Sequence, residues 1–333
     1  MRKEMISVAV YSAHGNPADV LRIETKPWPR PGPDEVVVAM QAAPINPADL
    51  NAIEGKYPGK REVPAIPGFE GSGIISEVGR NISNGSVGSL VILPHDIGTW
   101  REACAVNASD LVVVPPEIDP VQAAMLKINP LTAWQLLHGY VELKSGDWVI
   151  QNAANSAAGR AVIQIAHAFG YKTVNVVRRE GLVEELRSEG GDVVLLDDEN
   201  LRNAVKDATG GAAIRLGFNA VGGESALRLM NCLAPGGTLV SFGAMSLQPL
   251  KIPTGLLIFK DLRFRGIWIN KWYDNATPAE RMAAFNPIFD MAKRNLLLTR
   301  VEKSYPLSEA KAALEHAARA QRSGKIIFDL AAH

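Results

Sequence analysis

The chain has 333 residues, enough for two domains of common size. Its 35 basic and 35 acidic residues cancel, so nothing favours a nucleic-acid partner or an anionic membrane surface, and no apolar run is long enough to span a bilayer. Two cysteines far apart, Cys104 and Cys232, leave neither a disulfide framework nor a Cys-rich zinc site, which fits a reducing compartment.

In chain order, Val-rich runs at Ile6–Tyr11, Glu35–Ala43, Gly71–Val78, Ser89–Leu93 and Leu111–Pro115 read as strands. Turn clusters such as Pro27–Pro33 and Asn81–Gly88 separate them, so a β-rich domain is expected. The run at Ile6 begins too early for a signal peptide, so a cytoplasmic protein is expected, or one of the mitochondrial matrix if a leader has been removed. Helical patterns follow at Pro120–Lys127 and Asn129–Leu143. From Trp148 strands are expected at 148–152, 173–177, 192–196, 214–219, 238–242 and 263–268, with helices at 157–169, 180–189, 199–208, 223–233 and 253–260. Six strands with crossover helices imply an α/β fold with a doubly wound parallel sheet. A helix at Ala279–Arg294, a strand near Val301–Tyr305, a helix near Leu307–Gln321 and a strand at Lys325–Leu330 complete the pattern. These last strands need a sheet to join, and the N-terminal β-rich domain is the candidate.

The most informative stretch is WVIQNAANSAAGRAVIQIAHAFGYKTVNVVRRE, Trp148 to Glu180. It reads as strand, tight turn, helix and second strand, the layout of a dinucleotide site whose pyrophosphate sits on N–H groups at the helix N-terminus. Of the usual G-x-G-x-x-G only the last glycine remains, Gly159, and Asn155, Ser156, Ala157 and Ala158 fill the rest. These residues are small, and Asn tolerates a left-handed backbone. At the end of the second strand, where an acidic residue would favour a free ribose 2′-hydroxyl, stand Arg178 and Arg179, followed by Glu180. They lie 19 and 20 residues after Gly159. Two guanidinium groups suit a 2′-phosphate, hence NADPH rather than NADH. The bland alternative is an ordinary β-α-β unit with two solvated arginines.

Further short motifs occur in order: INPADLNAIEGKYPG (45–59), PGFEGSG (67–73), INPLTAW (128–134), FNAVGG (218–223), FGAMS (242–246), LLIFKDLRFRGIWINKW (256–272) and SGKIIF (323–328). With the dinucleotide stretch they resemble the medium-chain dehydrogenase/reductase superfamily over nearly the whole chain. More narrowly, they resemble its trans-2-enoyl thioester reductase branch. The resemblance implies a GroES-like catalytic domain over 1–122 and 296–333, a Rossmann NADPH-binding domain over 123–295, and an active site in the cleft between them. It also implies NADPH-dependent reduction of 2-enoyl thioesters, on CoA or acyl carrier protein, by a homodimer.

Many members of this superfamily hold a catalytic zinc through a G-H-E motif, but here the corresponding residues are Gly68-Phe69-Glu70. A phenyl ring cannot ligate zinc. The early cysteine position reads Asn46-Pro47-Ala48-Asp49, and the histidines show no ligand spacing, so no metal is expected.

Reducing an enoyl thioester needs a hydride at the β carbon, stabilisation of the enolate and a proton at the α carbon. By resemblance Tyr57, in G-K-Y-P-G, matches the proton donor; a phenol is uncharged at neutral pH yet can donate. Asn46 is a candidate for orienting substrate, though an Asn before Pro is often a turn residue. Asn129 matches a cofactor contact and also reads as a plain N-cap before Pro130. Phe242-Gly243-Ala244-Met245 is expected to line the nicotinamide pocket; read alone, Gly243 is a left-handed turn. Ile267-Trp268-Ile269 is expected beside the nicotinamide, or else as the edge strand of the sheet. Lys325 in S-G-K matches a cofactor contact and, on its own, reads as solvated. Trp272, with Tyr273, is a candidate wall of the acyl cavity, although aromatic clusters are more often core. Lys56, Lys60, Arg61 and Lys271 are candidates for a CoA or carrier-protein arm, or a solvated face. Two other functions remain open: a zinc-free NADPH quinone reductase, and a non-catalytic NADPH-binding sensor.

Overall fold

Valine-rich segments with few turn residues build the N-terminal strands of this computed structural model, which describes residues 4–59, 61–320 and 322–331. Lys60 and Gln321 lie outside the described residues. In chain order the strands are β1 (Met5–Tyr11), β2 (Leu21–Pro27), β3 (Glu35–Pro44), β4 (Ser72–Val78), β5 (Leu90–Ile92), β6 (Ala103–Asn107) and β7 (Val112–Val113). There follow β8 (Trp148–Gln151), β9 (Lys172–Val177), β10 (Val193–Leu196), β11 (Leu216–Asn219), β12 (Thr238–Ser241) and β13 (Arg263–Gly266), then β14 (Val301–Pro306) and β15 (Lys325–Asp329). The chain divides into two units, one of residues 1–127 with 298–333 and one of residues 128–297.

In the first unit β1 and β2 form a two-stranded sheet, and a larger sheet runs β14-β15-β3-β4-β5-β7, with β6 on β3. The C-terminal strand β15 lies antiparallel to β3, Ile327 opposite Pro44 and Phe328 opposite Ala43. The final segment thus joins the N-terminal sheet, as expected. Tyr11, Met40, Ile45, Ile53, Trp100 and Phe328 are among its buried core residues. Burying one such side chain contributes about 1.5–3 kcal/mol.

The second unit holds the parallel sheet β10-β9-β8-β11-β12-β13, the strand order of a doubly wound dinucleotide fold. On one face of it Ile150, Val174, Val176 and Leu239 pack with Leu229 and Met230 of helix Gly223–Cys232. Helix Ala157–Ala168 crosses from β8 to β9.

Several boundaries differ from the sequence expectation. Strands β2 and β6 and helix Pro47–Ile53 are additional. Helix Pro120–Ala123 ends four residues before Lys127, and helix Asn129–His138 ends before Gly139. The strand expected over 263–268 stops at Gly266, and Ile269 opens helix Ile269–Asn275, so of Ile267-Trp268-Ile269 only the Ile267 backbone extends the edge.

Candidate functional site

The turn after β8 is fixed by close packing. Gln151 donates from Nε2 to the Gly159 carbonyl (2.9 Å) and to Asn175 Oδ1 (2.8 Å), tying the strand end to the helix start and to β9. A Cβ at Gly159 would fall 2.5 Å from the Ala154 carbonyl oxygen, so this position needs glycine for the approach of helix to turn. The left-handed conformation in this turn falls on Ala153, at φ 49°, rather than on Asn155, which tolerates it better. Ser156 caps the helix, its Oγ accepting from Gly159 N–H at 3.1 Å. The N–H groups of Ala157 and Ala158 remain as first-turn donors without an intrahelical acceptor. Such a turn fits a pyrophosphate.

Arg178, Arg179 and Glu180 follow β9 and are exposed. Among the described residues neither guanidinium has an ion-pair or hydrogen-bond partner, so both are available to a phosphate. Sequence reasoning missed Arg160, whose Nε donates to the Asn155 carbonyl (3.2 Å) and whose guanidinium meets Glu185 (2.9 Å) and Glu189. It links the turn to helix Val183–Ser188, which follows the arginine pair. It also missed Asn152 at the end of β8. Asn152 donates to Asn219 Oδ1 (2.9 Å) and accepts from Ala220 N–H (2.8 Å), holding the ends of β8 and β11 together.

Phe242-Gly243-Ala244-Met245 follows β12, with Met245 exposed. Gly243 is not left-handed; a Cβ there would lie 2.9 Å from the Ala220 carbonyl oxygen, so close approach requires this glycine. Ile267 continues the edge by donating to the Ser241 carbonyl (3.0 Å), and Trp268 occupies the cap position of helix Ile269–Asn275. The cap of helix Asn129–His138 is Ile128, so Asn129 is its first residue rather than a plain N-cap.

In the first unit four polar residues distant in sequence meet in the interior. Lys325 Nζ donates to Asn46 Oδ1, and Asn46 Nδ2 donates to Glu70 Oε1 at 2.8 Å. Asp49 accepts from Asn46 N–H (2.7 Å) and Phe69 N–H (2.9 Å). All four are buried, Lys325 at 6% and Glu70 at 0% exposure, so Lys325 is not solvated. Burial pushes the Lys325 ammonium down, against the pull of Glu70 and Asp49. Burial pushes the Asp49 carboxyl up to about 7, opposed by its two N–H donors. Asp49 and Glu70 were not singled out from sequence.

Tyr57 lies half-buried in the loop after helix Pro47–Ile53. Its N–H donates to the Asn51 carbonyl (3.2 Å), and its ring packs on Phe69 with centroids 5.2 Å apart. Arg61 is committed to the protein, donating to the carbonyls of Ile66 (2.8 Å) and His95 (2.9 Å). Lys56 pairs with Glu54 at 2.9 Å, and Lys271 is exposed. Trp272 lines an open cleft of about 380 Å³ in the second unit, with Trp134, Gln135, His138, Asn275 and Glu280. Tyr273 is buried under Arg281, 4.6 Å from its ring, and is core rather than wall. Among the described residues no group of three or more His, Cys, Asp or Glu is placed to hold a metal ion. No helix among them is long and apolar enough to cross a membrane.

Residues 32–116 match the alcohol dehydrogenase GroES-like domain, and residues 157–284 match the zinc-binding dehydrogenase family. The mitochondrial enoyl-[acyl-carrier-protein] reductase of Caenorhabditis elegans is 41% identical over 306 residues, covering 88% of this chain and 88% of the relative. Those of Dictyostelium discoideum and Homo sapiens are each 37% identical, covering 96% and 98% of this chain and 93% and 89% of their own. Among solved structures, the Etr1p complex with NADP and crotonyl-CoA superposes with a TM-score of 0.89 at 27% identity, covering 98% of this chain and 99% of that one. The mitochondrial 2-enoyl thioester reductase Etr1p/Etr2p heterodimer from Candida tropicalis gives 0.88 at 27% identity, with the same coverage. The chain belongs to the enoyl-[acyl-carrier-protein] reductase family of the medium-chain dehydrogenases/reductases.

Proposed function

We propose that this protein reduces the C=C bond of trans-2-enoyl thioesters, carried on CoA or acyl carrier protein, with NADPH. Near full-length similarity to reductases so named carries the reading. The chain's own groups support it. Ala157 and Ala158 N–H bind the pyrophosphate, and Arg178 and Arg179 hold the 2′-phosphate as charge-assisted donors. Glu180 borders that end. Asn129, Phe242–Met245 and Ile267–Ile269 border the nicotinamide. When bound, NADPH supplies a hydride to the β carbon of the substrate. Tyr57 gives its phenolic proton to the α carbon, and Trp272 meets the acyl side.

The test mixes NADPH with crotonyl-CoA and with trans-2-hexenoyl-CoA and follows loss of NADPH absorbance, with NADH and a quinone in parallel. Brisk oxidation by the enoyl thioesters is expected; turnover of quinone alone would replace this reading. Loss of two charge-assisted contacts in Arg178→Ala/Arg179→Ala should lower the preference for NADPH over NADH by about 100-fold or more.

A homodimer is part of the proposal. Strand β13 is the last in its sheet, and helix Thr254–Lys260 beside it exposes Ile258 at 67% and Phe259 at 84%. Apolar exposure next to an open strand edge favours pairing with a second copy. Light scattering should give twice the chain mass of 35.8 kDa, and Ile258→Lys/Phe259→Lys should reduce it to that of one chain. A single-chain mass for the unaltered protein would end this part of the proposal.

A further inference from the structure

We infer that Phe69, held by Asp49 and Arg61, is the positioning residue for the Tyr57 hydroxyl. The inference rests on the enoyl reductase reading. Helix Pro47–Ile53 grips the tyrosine loop at one end and Phe69 at the other. The Asn51 carbonyl accepts from both Lys56 N–H (2.8 Å) and Tyr57 N–H (3.2 Å), which fixes the loop backbone. Asp49, in the first turn of the same helix, accepts from Phe69 N–H (2.9 Å) while its other oxygen accepts from Asn46 N–H (2.7 Å). The Phe69 backbone and the Tyr57 backbone are therefore referenced to one rigid turn of chain.

The ring contact closes this frame. The Tyr57 ring lies 5.2 Å from that of Phe69, tilted by 43°, within the range of favourable aromatic pairs. The Arg61 guanidinium sits over the Phe69 ring at 4.9 Å, and the carbonyls of Ile66 and His95 hold it there. Phe69 is itself buried, and its neighbours are pinned: Trp100 N–H donates to the Pro67 carbonyl (3.1 Å) and Thr99 Oγ1 donates to the Glu70 carbonyl (2.7 Å). A phenol on a loop has two free side-chain torsions. Packing against a buried ring held this way restricts both, and biases where the hydroxyl points. Proton transfer is sensitive to that placement, because a displacement on the order of 1 Å can cost about 100-fold in rate.

The test is a double-mutant cycle on kcat with crotonyl-CoA. Phe69→Leu should lower kcat by about 10- to 100-fold with the KM for NADPH unchanged, and should cost nothing further in a Tyr57→Phe background. A role only in the fold would cost the same in both backgrounds, and that result overturns the inference, as does an unchanged kcat in Phe69→Leu. Arg61→Met repeats the test with Phe69 and its backbone contacts in place, so it serves if Phe69→Leu fails to fold; it should lower kcat in the same background-dependent way. If Tyr57→Phe alone keeps the full rate, the assignment of the proton donor fails first and this inference falls with it. If Tyr57→Phe is impaired but Phe69→Leu and Arg61→Met are not, only the inference fails.

Discussion

Tyr57→Phe should lower kcat for crotonyl-CoA by about 100- to 10,000-fold, the range of a lost general acid, while the KM for NADPH stays within about twofold. The substitution removes one oxygen and keeps the ring. The contact with Phe69 at 5.2 Å and the backbone bond to Asn51 survive, so loop geometry is a poor explanation for any loss. An ordinary phenol carries its proton at neutral pH, the state needed to protonate a carbon that gains charge after hydride arrival. A carboxylic acid in its place would be mostly ionised unless buried. Steady-state kinetics at saturating NADPH read the effect directly. The split between kcat and KM is informative, because a group that acts only in the transition state moves kcat. An unaltered kcat would remove Tyr57 from the chemistry and return the proton to solvent or to another group.

The alternating half of the fold was legible because its signal is local. Most strands from β8 to β12 are largely apolar runs bounded by turn residues, and each crossover helix has its own periodicity, so boundaries fell within a few residues. The place of the arginine pair, directly after β9, was legible for the same reason: strand length sets it. What stayed hidden depends on partners far away in the chain. Strand β2 exposes most of LRIETKP and exists because β1 pairs with it from Met5 to Tyr11, so it shows no buried face in sequence. Ile267, Trp268 and Ile269 are good strand formers, yet the chain turns into a helix there, because the ladder with β12 ends at Gly266. The left-handed residue of the turn after β8 is Ala153, where steric preference alone favours Asn155. The meeting of residues 46, 49, 70 and 325 is a product of β15 pairing with β3, and no spacing rule reaches across that distance.

That meeting leads to the second large effect. Lys325→Met should destabilise the first unit by about 3–5 kcal/mol, the cost of stranding buried charge without its partner. For a unit of this size that corresponds to a fall in Tm of roughly 6–20 °C. The ammonium has no water to return to: it is buried, it donates to Asn46, and it faces Glu70 and Asp49. Remove it and the Glu70 carboxylate, which accepts from Asn46 Nδ2, loses the buried positive charge it faces, while Asp49 loses the charge that opposes its burial. Methionine fills most of the lysine volume, so packing loss is small and the effect reports charge. Glu70→Gln in the same chain removes one of the stranded acids and should recover a large part of the lost Tm. The two changes therefore couple, whereas independent sites would add. The measurement is thermal unfolding of the cofactor-free protein. If Lys325 served only to hold NADPH, that transition would not move, and the loss would show solely as a weaker Kd for the cofactor. A lower Tm without cofactor, partly restored by Glu70→Gln, assigns Lys325 to the charge balance behind the Asn46–Asp49 turn, the turn that also fixes Phe69 and, through it, Tyr57.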